Sequence, residues 1–173
     1  MIAQSRKEKT GGRTSLLLWN SLLLFTLVGG CSTEDIRPLQ NLNSALDRSS
    51  DARRDPTLAQ EWLATLSSRG GRERIELINL RNGTPVPTPG LNSADAQPVS
   101  ISLSGDGERL ALVQQREGRT ELMLYRRSIG ALQRLDINPP GVPRQVSLNG
   151  DGRTLAVQIS RSGRWDVDII RLP

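Results

Sequence analysis

The protein has 173 residues, with 23 Lys and Arg against 18 Asp and Glu and a formal net charge of +5. It contains one cysteine and no histidine, which excludes an intramolecular disulfide, a Ser–His–Asp triad, a Cys–His pair and an imidazole metal site. The G-x-S-x-G nucleophile motif is also absent from the sequence. We therefore predict no catalytic residue, no metal and no cofactor, and a protein that is not an enzyme.

The first thirty residues have the three zones of an export signal. Four basic side chains precede an uncharged run from Leu16 to Val28, which is too short for a helix that crosses a membrane core of about 30 Å. Two glycines and then Cys31 follow this run. The sequence V-G-G-C at positions 28–31 resembles the bacterial lipobox. We predict that residues 1–30 are a lipoprotein signal peptide and that Cys31 carries a thioether-linked diacylglycerol.

Lipid attachment at Cys31 predicts a membrane protein of the cell envelope. Each buried methylene adds about 0.8 kcal/mol of membrane affinity, so two or three acyl chains hold the protein firmly. Ser32 follows the cysteine instead of an aspartate, which in Gram-negative lipoproteins usually permits transfer to the outer membrane. We expect a lipid-anchored, periplasm-facing protein. Removal of the signal leaves 19 arginines and no lysine against 17 acids, so the charge gives no support for nucleic-acid binding.

Residues 31–50 follow as a polar stretch that we interpret as the lipidated cysteine and a tether. The leucines at 39, 42 and 46 have loosely helical spacing, and the alternatives are a short helix over Leu39 to Leu46 or a strand on the edge of the domain. Residues 51–173 form the folded part in our prediction. They divide into three repeats, at about 51–92, 93–139 and 140–173.

The repeats are defined by an Arg-x-Gly-Arg sequence that occurs at positions 69–72, 116–119 and 161–164. A Leu-Ala pair precedes each occurrence, and two apolar residues that alternate with other residues follow it. Alternation with period two predicts a strand with one buried face. The residues concerned are Ile75 and Leu77, Leu122 and Leu124, and Val167 and Ile169.

Two of the repeats also contain an Asp-Gly pair before the Leu-Ala pair, at Asp106-Gly107 and Asp151-Gly152. Asp-Gly after a short strand is a strong turn signal. Each repeat is therefore predicted to be a meander of strand, Asp-Gly turn, strand, Arg-x-Gly-Arg turn and strand. The first copy lacks the Asp-Gly pair, and the spacing of the apolar residues between positions 55 and 66 would also allow a helix. We favour a strand there because the first copy keeps the register of the other two.

The second copy reads S-G-D-G-x-x-L-A-x-x-x-x-R-x-G-R-x-x-L, which resembles the WD40-like propeller repeat of the TolB type, whose usual form is S-P-D-G-x-x-L-A-F. Glycine replaces the usual proline at Gly105 and Gly150, and Thr65, Leu112 and Val157 replace the usual aromatic residue. The resemblance covers roughly residues 55–173. It implies an all-β fold, a partial β-propeller of about three antiparallel blades, whereas a TolB propeller closes six.

An arc of three blades leaves apolar sheet faces at both ends, and propellers close because exposed edges and faces promote association. Three occupants could cover these faces: the segment 32–50, a second copy of the chain that completes a six-bladed ring, or a different partner. A small self-contained β domain with short, charged edges is the alternative to all three.

We interpret the recurring residues of the repeats as structural. The arginines at 69, 116 and 161 could bond turn carbonyls or a neighbouring carboxylate, or they could line a channel for an anionic ligand, and the first interpretation is favoured. The acids Asp166 and Asp168 are expected on the outward face of their strand, where an acid/base role has little support. The full set with a structural role is Arg69, Gly71, Arg116, Gly118, Arg161, Gly163, Asp106, Gly107, Asp151 and Gly152.

Two functions remain in agreement with the sequence. The first is a non-catalytic, membrane-tethered module that binds envelope proteins, in envelope integrity or transport. The resemblance implies it, since TolB acts with an energised inner-membrane complex and a peptidoglycan-associated lipoprotein. The second is binding of a small ligand or glycan in a propeller channel formed on oligomerisation. Self-association into a homo-oligomer, or completion of another protein's propeller, is a further expectation.

Overall fold

Three antiparallel sheets in chain order make up the structure, a computed structural model that describes residues 36–173. The predicted signal peptide and Cys31 lie outside the described residues. Residues Pro38–Pro173 form a compact unit. No helix among the described residues is long and apolar enough to cross a membrane.

Each sheet corresponds to one sequence repeat and is called a blade. Blade 1 consists of β1 Ala52–Ala59, β2 Trp62–Arg69, β3 Arg72–Asn79 and β4 Thr84–Val86. Blade 2 consists of β5 Ala96–Leu103, β6 Arg109–Arg116, β7 Arg119–Arg126 and β8 Ala131–Leu135. Blade 3 consists of β9 Val142–Leu148, β10 Thr154–Arg161 and β11 Arg164–Arg171.

The strands of each blade pair in sequence order, as a meander requires. The second and third strands of each blade meet at the Arg-x-Gly-Arg turn, where the flanking arginines are cross-strand partners, for example Arg116 and Arg119. This arrangement confirms the predicted all-β partial propeller of three blades. It also confirms that the first copy is a strand and not a helix, since β1 and β2 span residues 52–69.

Two apolar cores hold the blades together, one on each side of blade 2. The first core joins blade 1 to blade 2, and it contains Ala64, Leu66, Ile75, Leu77, Leu91, Ile101, Leu103, Leu110, Leu112, Met123 and Tyr125. The second joins blade 2 to blade 3, and it contains Ala111, Val113, Leu122, Leu124, Val146, Leu148, Leu155, Val157, Ile159 and Leu172. Because side chains alternate across a strand, blade 2 contributes one face to each core.

The face that a blade turns towards the next blade along the chain is called its forward face, and the opposite face its backward face. The forward faces of blades 1 and 2 are formed by the Leu-Ala strand and the strand after the Arg-x-Gly-Arg turn. Their equivalent residues are Ala64, Leu66, Ile75 and Leu77 in blade 1, and Ala111, Val113, Leu122 and Leu124 in blade 2. All of these side chains are buried.

The backward face of blade 1 carries a helix, α1, which spans Gln40–Asp47. The guanidinium of Arg53 fastens the end of this helix to the blade, since its Nη1 donates to the Leu46 carbonyl at 2.8 Å and its Nη2 to Ser49 Oγ at 2.8 Å. The predicted tether therefore contains a helix, one of the two alternatives, and residues up to Ser49 cover part of this face.

The forward face of blade 3 contradicts one sequence prediction. The alternation at Val167 and Ile169 predicted burial, yet these side chains are 65% and 68% exposed. Asp166 and Asp168, expected to face outward, lie opposite the buried Ile159 and Val157 of β10 and are half-buried. The physical reason is that no further sheet packs against blade 3 in the described residues, so its apolar row remains open while its acids face Arg161.

Candidate functional site

The Asp-Gly pairs form turns, as their sequence predicts. Asp106 Oδ1 accepts hydrogen bonds from Ser104 Oγ at 2.6 Å and from the Glu108 amide at 3.0 Å, and these bonds lower the pKa of Asp106. Asp151 Oδ1 accepts in the same way from the Arg153 amide at 2.8 Å. Both carboxylates are occupied by their own turns.

These turns also join the blades at one end of the inner strands. The amide of Gly105 donates to the Gly150 carbonyl at 2.8 Å, which links the turn of blade 2 to that of blade 3. Arg109 Nη1 donates to the Gly152 carbonyl at 3.1 Å. The ring of Trp62 in blade 1 lies against Gly107. The turns thus set the spacing between neighbouring blades.

The three recurring arginines each tie the end of a second strand to another part of the same blade. Arg69 Nε donates to Asp51 Oδ1 at 2.7 Å and Arg116 Nε to Asp95 Oδ2 at 2.7 Å, so in blades 1 and 2 the partner is the acid just before the first strand. In blade 3, Arg161 donates instead to the Pro139 carbonyl, at 3.0 and 3.2 Å, and to Asp168.

These contacts engage each guanidinium with its own blade or, for Arg161, also with the segment that leads into it. The hydrogen bond and charge of Arg69 lower the pKa of Asp51, and Arg161 lowers the pKa of Asp168 for the same reason. The carboxylate partners and the turn carbonyl are the kinds of acceptor that the structural interpretation requires. Each of the three arginines has its own set of acceptors, which favours the structural interpretation over a shared site for an anionic ligand.

The first strands of the three blades lie side by side and are cross-linked by polar side chains. Asp55 of β1 accepts a hydrogen bond from the Ile101 amide of β5 at 3.1 Å. Ser102 of β5 accepts one from the Leu148 amide of β9 at 2.8 Å. Each strand is irregular along this line, since the pairing skips residues 55–56, 99 and 144. Such bulges redirect side chains away from the regular ladder.

A polar groove of about 500 Å³ runs across these irregular strands, and all three blades line it. Its walls are Arg54, Asp55, Gln97, Pro98, Val99, Ser100, Gln115, Arg144 and Gln145. We call it the inner groove. Glutamine amides each supply donors and an acceptor, so the groove can pair with both the N–H and C=O groups of an extended chain.

The charges in the inner groove are unequally matched. Arg54 forms a bidentate pair with Glu73, with both N–O distances at 2.7 Å, and this pairing raises the pKa of Arg54 and lowers that of Glu73. Arg144 is exposed and makes no ion pair with any of residues 36–173. The groove therefore offers one free guanidinium, which suits a carboxylate.

The structure described so far is similar to known propellers. TolB from Acinetobacter baumannii matches with a TM-score of 0.54 and 19% identity over 68% of this chain, which is 29% of that chain. The fold is that of a TolB-like β-propeller. A putative TolB from Agrobacterium tumefaciens matches with a TM-score of 0.51 and 20% identity, over 64% of this chain and 39% of that one. The chain spans 29% and 39% of the length of these two structures, which is well under half.

At these identities the likeness shows the fold alone. No protein-family model matches the sequence, and no curated protein matches it significantly. The TolB-like fold was predicted from the S-G-D-G and Arg-x-Gly-Arg repeats, and the structural matches confirm it.

The prediction that the chain is not an enzyme is contradicted by the same comparison. A puromycin-hydrolyzing peptidase from Mycobacterium tuberculosis matches with a TM-score of 0.52 and 21% identity over 70% of this chain. The matched part is 19% of the peptidase chain. Because this fold occurs in peptidases too, the absence of a nucleophile motif from these blades does not exclude an enzyme.

The inner groove was not predicted from the sequence. Its residues come from three repeats and belong to no shared motif, and Arg144 and Gln145 lie about 90 residues from Arg54. The available signal was the polar composition of the strand before each Leu-Ala pair, which becomes informative only when the three strands are known to be neighbours.

Proposed function

We propose that the protein is a lipid-anchored, periplasm-facing envelope protein that acts as a protein-interaction module of the TolB-like type. The N-terminal signal and Cys31 supply the anchor, which the V-G-G-C sequence supports. Residues 51–173 are displayed from the membrane surface as the binding domain. The partner is another envelope protein, and no nucleic acid is involved.

The inner groove carries this proposal, because all three blades contribute to it. A polar groove lined by glutamine amides and one free arginine fits an extended segment of a partner protein that carries a carboxylate near Arg144. Surface grooves on rigid strands are well suited to such recognition, since the backbone that positions them is held by the two cores. A role in envelope integrity or transport follows from the TolB-like type.

The test is capture of the partner from envelope membranes of the native host. The full chain with a C-terminal tag is cross-linked in cells and purified, and the co-purified proteins are identified by mass spectrometry. Arg144→Glu should reduce recovery of the specific partner at least about tenfold, because like charges that meet across an interface cost more than about 1.4 kcal/mol. Arg153→Glu is the matched control, because Arg153 is also exposed and lies outside the groove.

Equal recovery with Arg144→Glu and wild type would refute the groove as the binding site. Recovery of no specific protein with any variant would refute the interaction module itself.

A second candidate function is binding of a glycan or small ligand in the same groove. The three glutamines favour it, since amides pair with sugar hydroxyls as well as with peptide groups. Calorimetric titration with soluble peptidoglycan fragments tests this candidate. Saturable heat that Gln145→Ala removes supports it, and absence of heat rejects it for that class of glycan.

A further inference from the structure

The forward face of blade 3 repeats a surface that is buried in the other two blades. In the register of the repeats, Val167 and Ile169 are equivalent to Ile75 and Leu77 of blade 1, which are 3% and 0% exposed. Trp165, on the same face of β11, is 56% exposed. β11 is also an edge strand among the described residues, because blade 3 has no fourth strand there. The forward face of blade 3 is thus equivalent to two buried sheet faces, but no sheet of the described residues packs against it.

This face is free of charge along its centre. Opposite Trp165, Val167 and Ile169 on β10 stand Ser160, Gln158 and Ala156. The acids of β11 point to the other face, where they pair with Arg161. The one charged side chain of β11 on this face is the exposed Arg171, at the end of the row, and it can stay in water when a second protein surface covers the apolar centre.

The backward face of blade 1 is a poor match for this surface in a second copy. Where blade 2 has Leu112 and Met123, blade 1 has Thr65 and Glu76. Glu76 pairs with Arg53 at 3.1 Å, and Arg53 also holds the end of α1. Head-to-tail closure of two arcs into a ring would bury this ion pair under an apolar face and displace the helix.

We propose that the forward face of blade 3 binds the same face of a second copy of this chain, in an isologous, two-fold dimer. A second copy offers an uncharged apolar sheet face at this position and a polar, helix-covered face at its other end. An isologous contact uses the same residues on both sides, so it closes at two copies and does not extend into a filament. This face meets the inner groove at Gln145, the cross-strand partner of Gln158, but its apolar row on β11 lies outside the groove. The proposal therefore does not rest on the function proposed for the groove.

The size of the face sets the strength of the dimer. Three strands of about eight residues cover roughly 27 Å by 14 Å, or about 400 Å² on each copy. The total of about 800 Å² lies below the roughly 1,200 Å² at which stable specific interfaces begin, so we expect a weak, transient dimer with a dissociation constant in the micromolar range. Attachment of both copies to one membrane would raise their effective concentration.

The experiment measures the mass of the purified full chain by sedimentation equilibrium in a neutrally buoyant detergent, over a range of micromolar concentrations. We expect a monomer–dimer equilibrium for the wild type. Val167→Arg should weaken it at least about tenfold, because two guanidinium groups would be buried against each other. Leu58→Arg is the matched control, since Leu58 is 71% exposed on the backward face of blade 1.

A cysteine experiment determines which faces meet. Val167→Cys alone should give a covalent dimer with a short bis-maleimide. The wild type is the control, because it shows how much cross-linking occurs through the native Cys31. A link that forms only between Val167→Cys and Leu58→Cys chains in a mixture would overturn the proposal in favour of a head-to-tail ring. A wild type that stays monomeric throughout, or a dimer that Val167→Arg does not weaken, would overturn it as well. Far-UV circular dichroism confirms that each variant is folded.

Discussion

The contact between Gly107 and Trp62 predicts a large effect of the substitution Gly107→Ala. A Cβ atom at position 107 would lie 2.6 Å from Cγ and Cδ2 of the indole, and the backbone φ there is +68°. An alanine at positive φ costs about 1–2 kcal/mol, and forcing an extra carbon into a packed site costs typically about 1–3 kcal/mol more. We expect a total loss of about 2–5 kcal/mol in the free energy of unfolding.

The chain offers a matched control for this prediction in Gly118→Ala. Gly118 has φ +74°, but an added Cβ there would meet no atom within 4 Å. Its substitution should therefore cost only the backbone part, about 1–2 kcal/mol. The difference between the two variants isolates the contact with Trp62, which also holds the Arg127 guanidinium over its ring at 4.2 Å.

The assay is urea unfolding followed by far-UV circular dichroism, with the slope of the transition compared between variants. The double variant Trp62→Ala/Gly107→Ala completes a thermodynamic cycle, in which we expect a coupling of at least about 1 kcal/mol because the alanine at 62 leaves room for the new Cβ. Equal losses for Gly107→Ala and Gly118→Ala, or a coupling near zero, would show that Trp62 does not restrict this turn.

Three further predictions concern acid stability, the core and the anchor. Arg69 lowers the pKa of Asp51, so their ion pair stabilises the fold at pH values above the ordinary pKa of aspartate. This stabilisation is lost as the pH falls through the lower pKa of Asp51 in the native state. Asp51→Asn should therefore flatten the dependence of the urea midpoint on pH in that acid range. The buried Tyr125 hydroxyl donates to the Pro89 carbonyl at 2.9 Å, so Tyr125→Phe should lose about 1 kcal/mol of unfolding free energy, and no loss would mean that the bond is not formed. Cys31→Ser should remove the lipid mass that mass spectrometry of the intact wild-type protein detects, whereas a wild type that carries no added lipid mass would reject lipid attachment at Cys31.

Local features of the chain were predictable from the sequence because they depend on neighbouring residues alone. Period-two alternation defined the strands, and Asp106-Gly107 and the Arg-x-Gly-Arg sequences defined the turns, since these residues favour the backbone angles that a reversal needs. Three such meanders in succession, together with the resemblance of the S-G-D-G repeat to the TolB type, predicted the three blades.

The faces of the blades could not be assigned in the same way. Val167 and Ile169 follow the same alternation as Ile75 and Leu77, and only the tertiary structure shows that the first pair is exposed and the second buried. The inner groove likewise exists only because β1, β5 and β9 lie side by side and bring Arg54, Gln97 and Arg144 together. The sequence by itself determined where each strand runs and turns, because those choices are local. Which sheet covers which face, and which distant side chains share a groove, were decided by packing between elements that lie far apart along the chain.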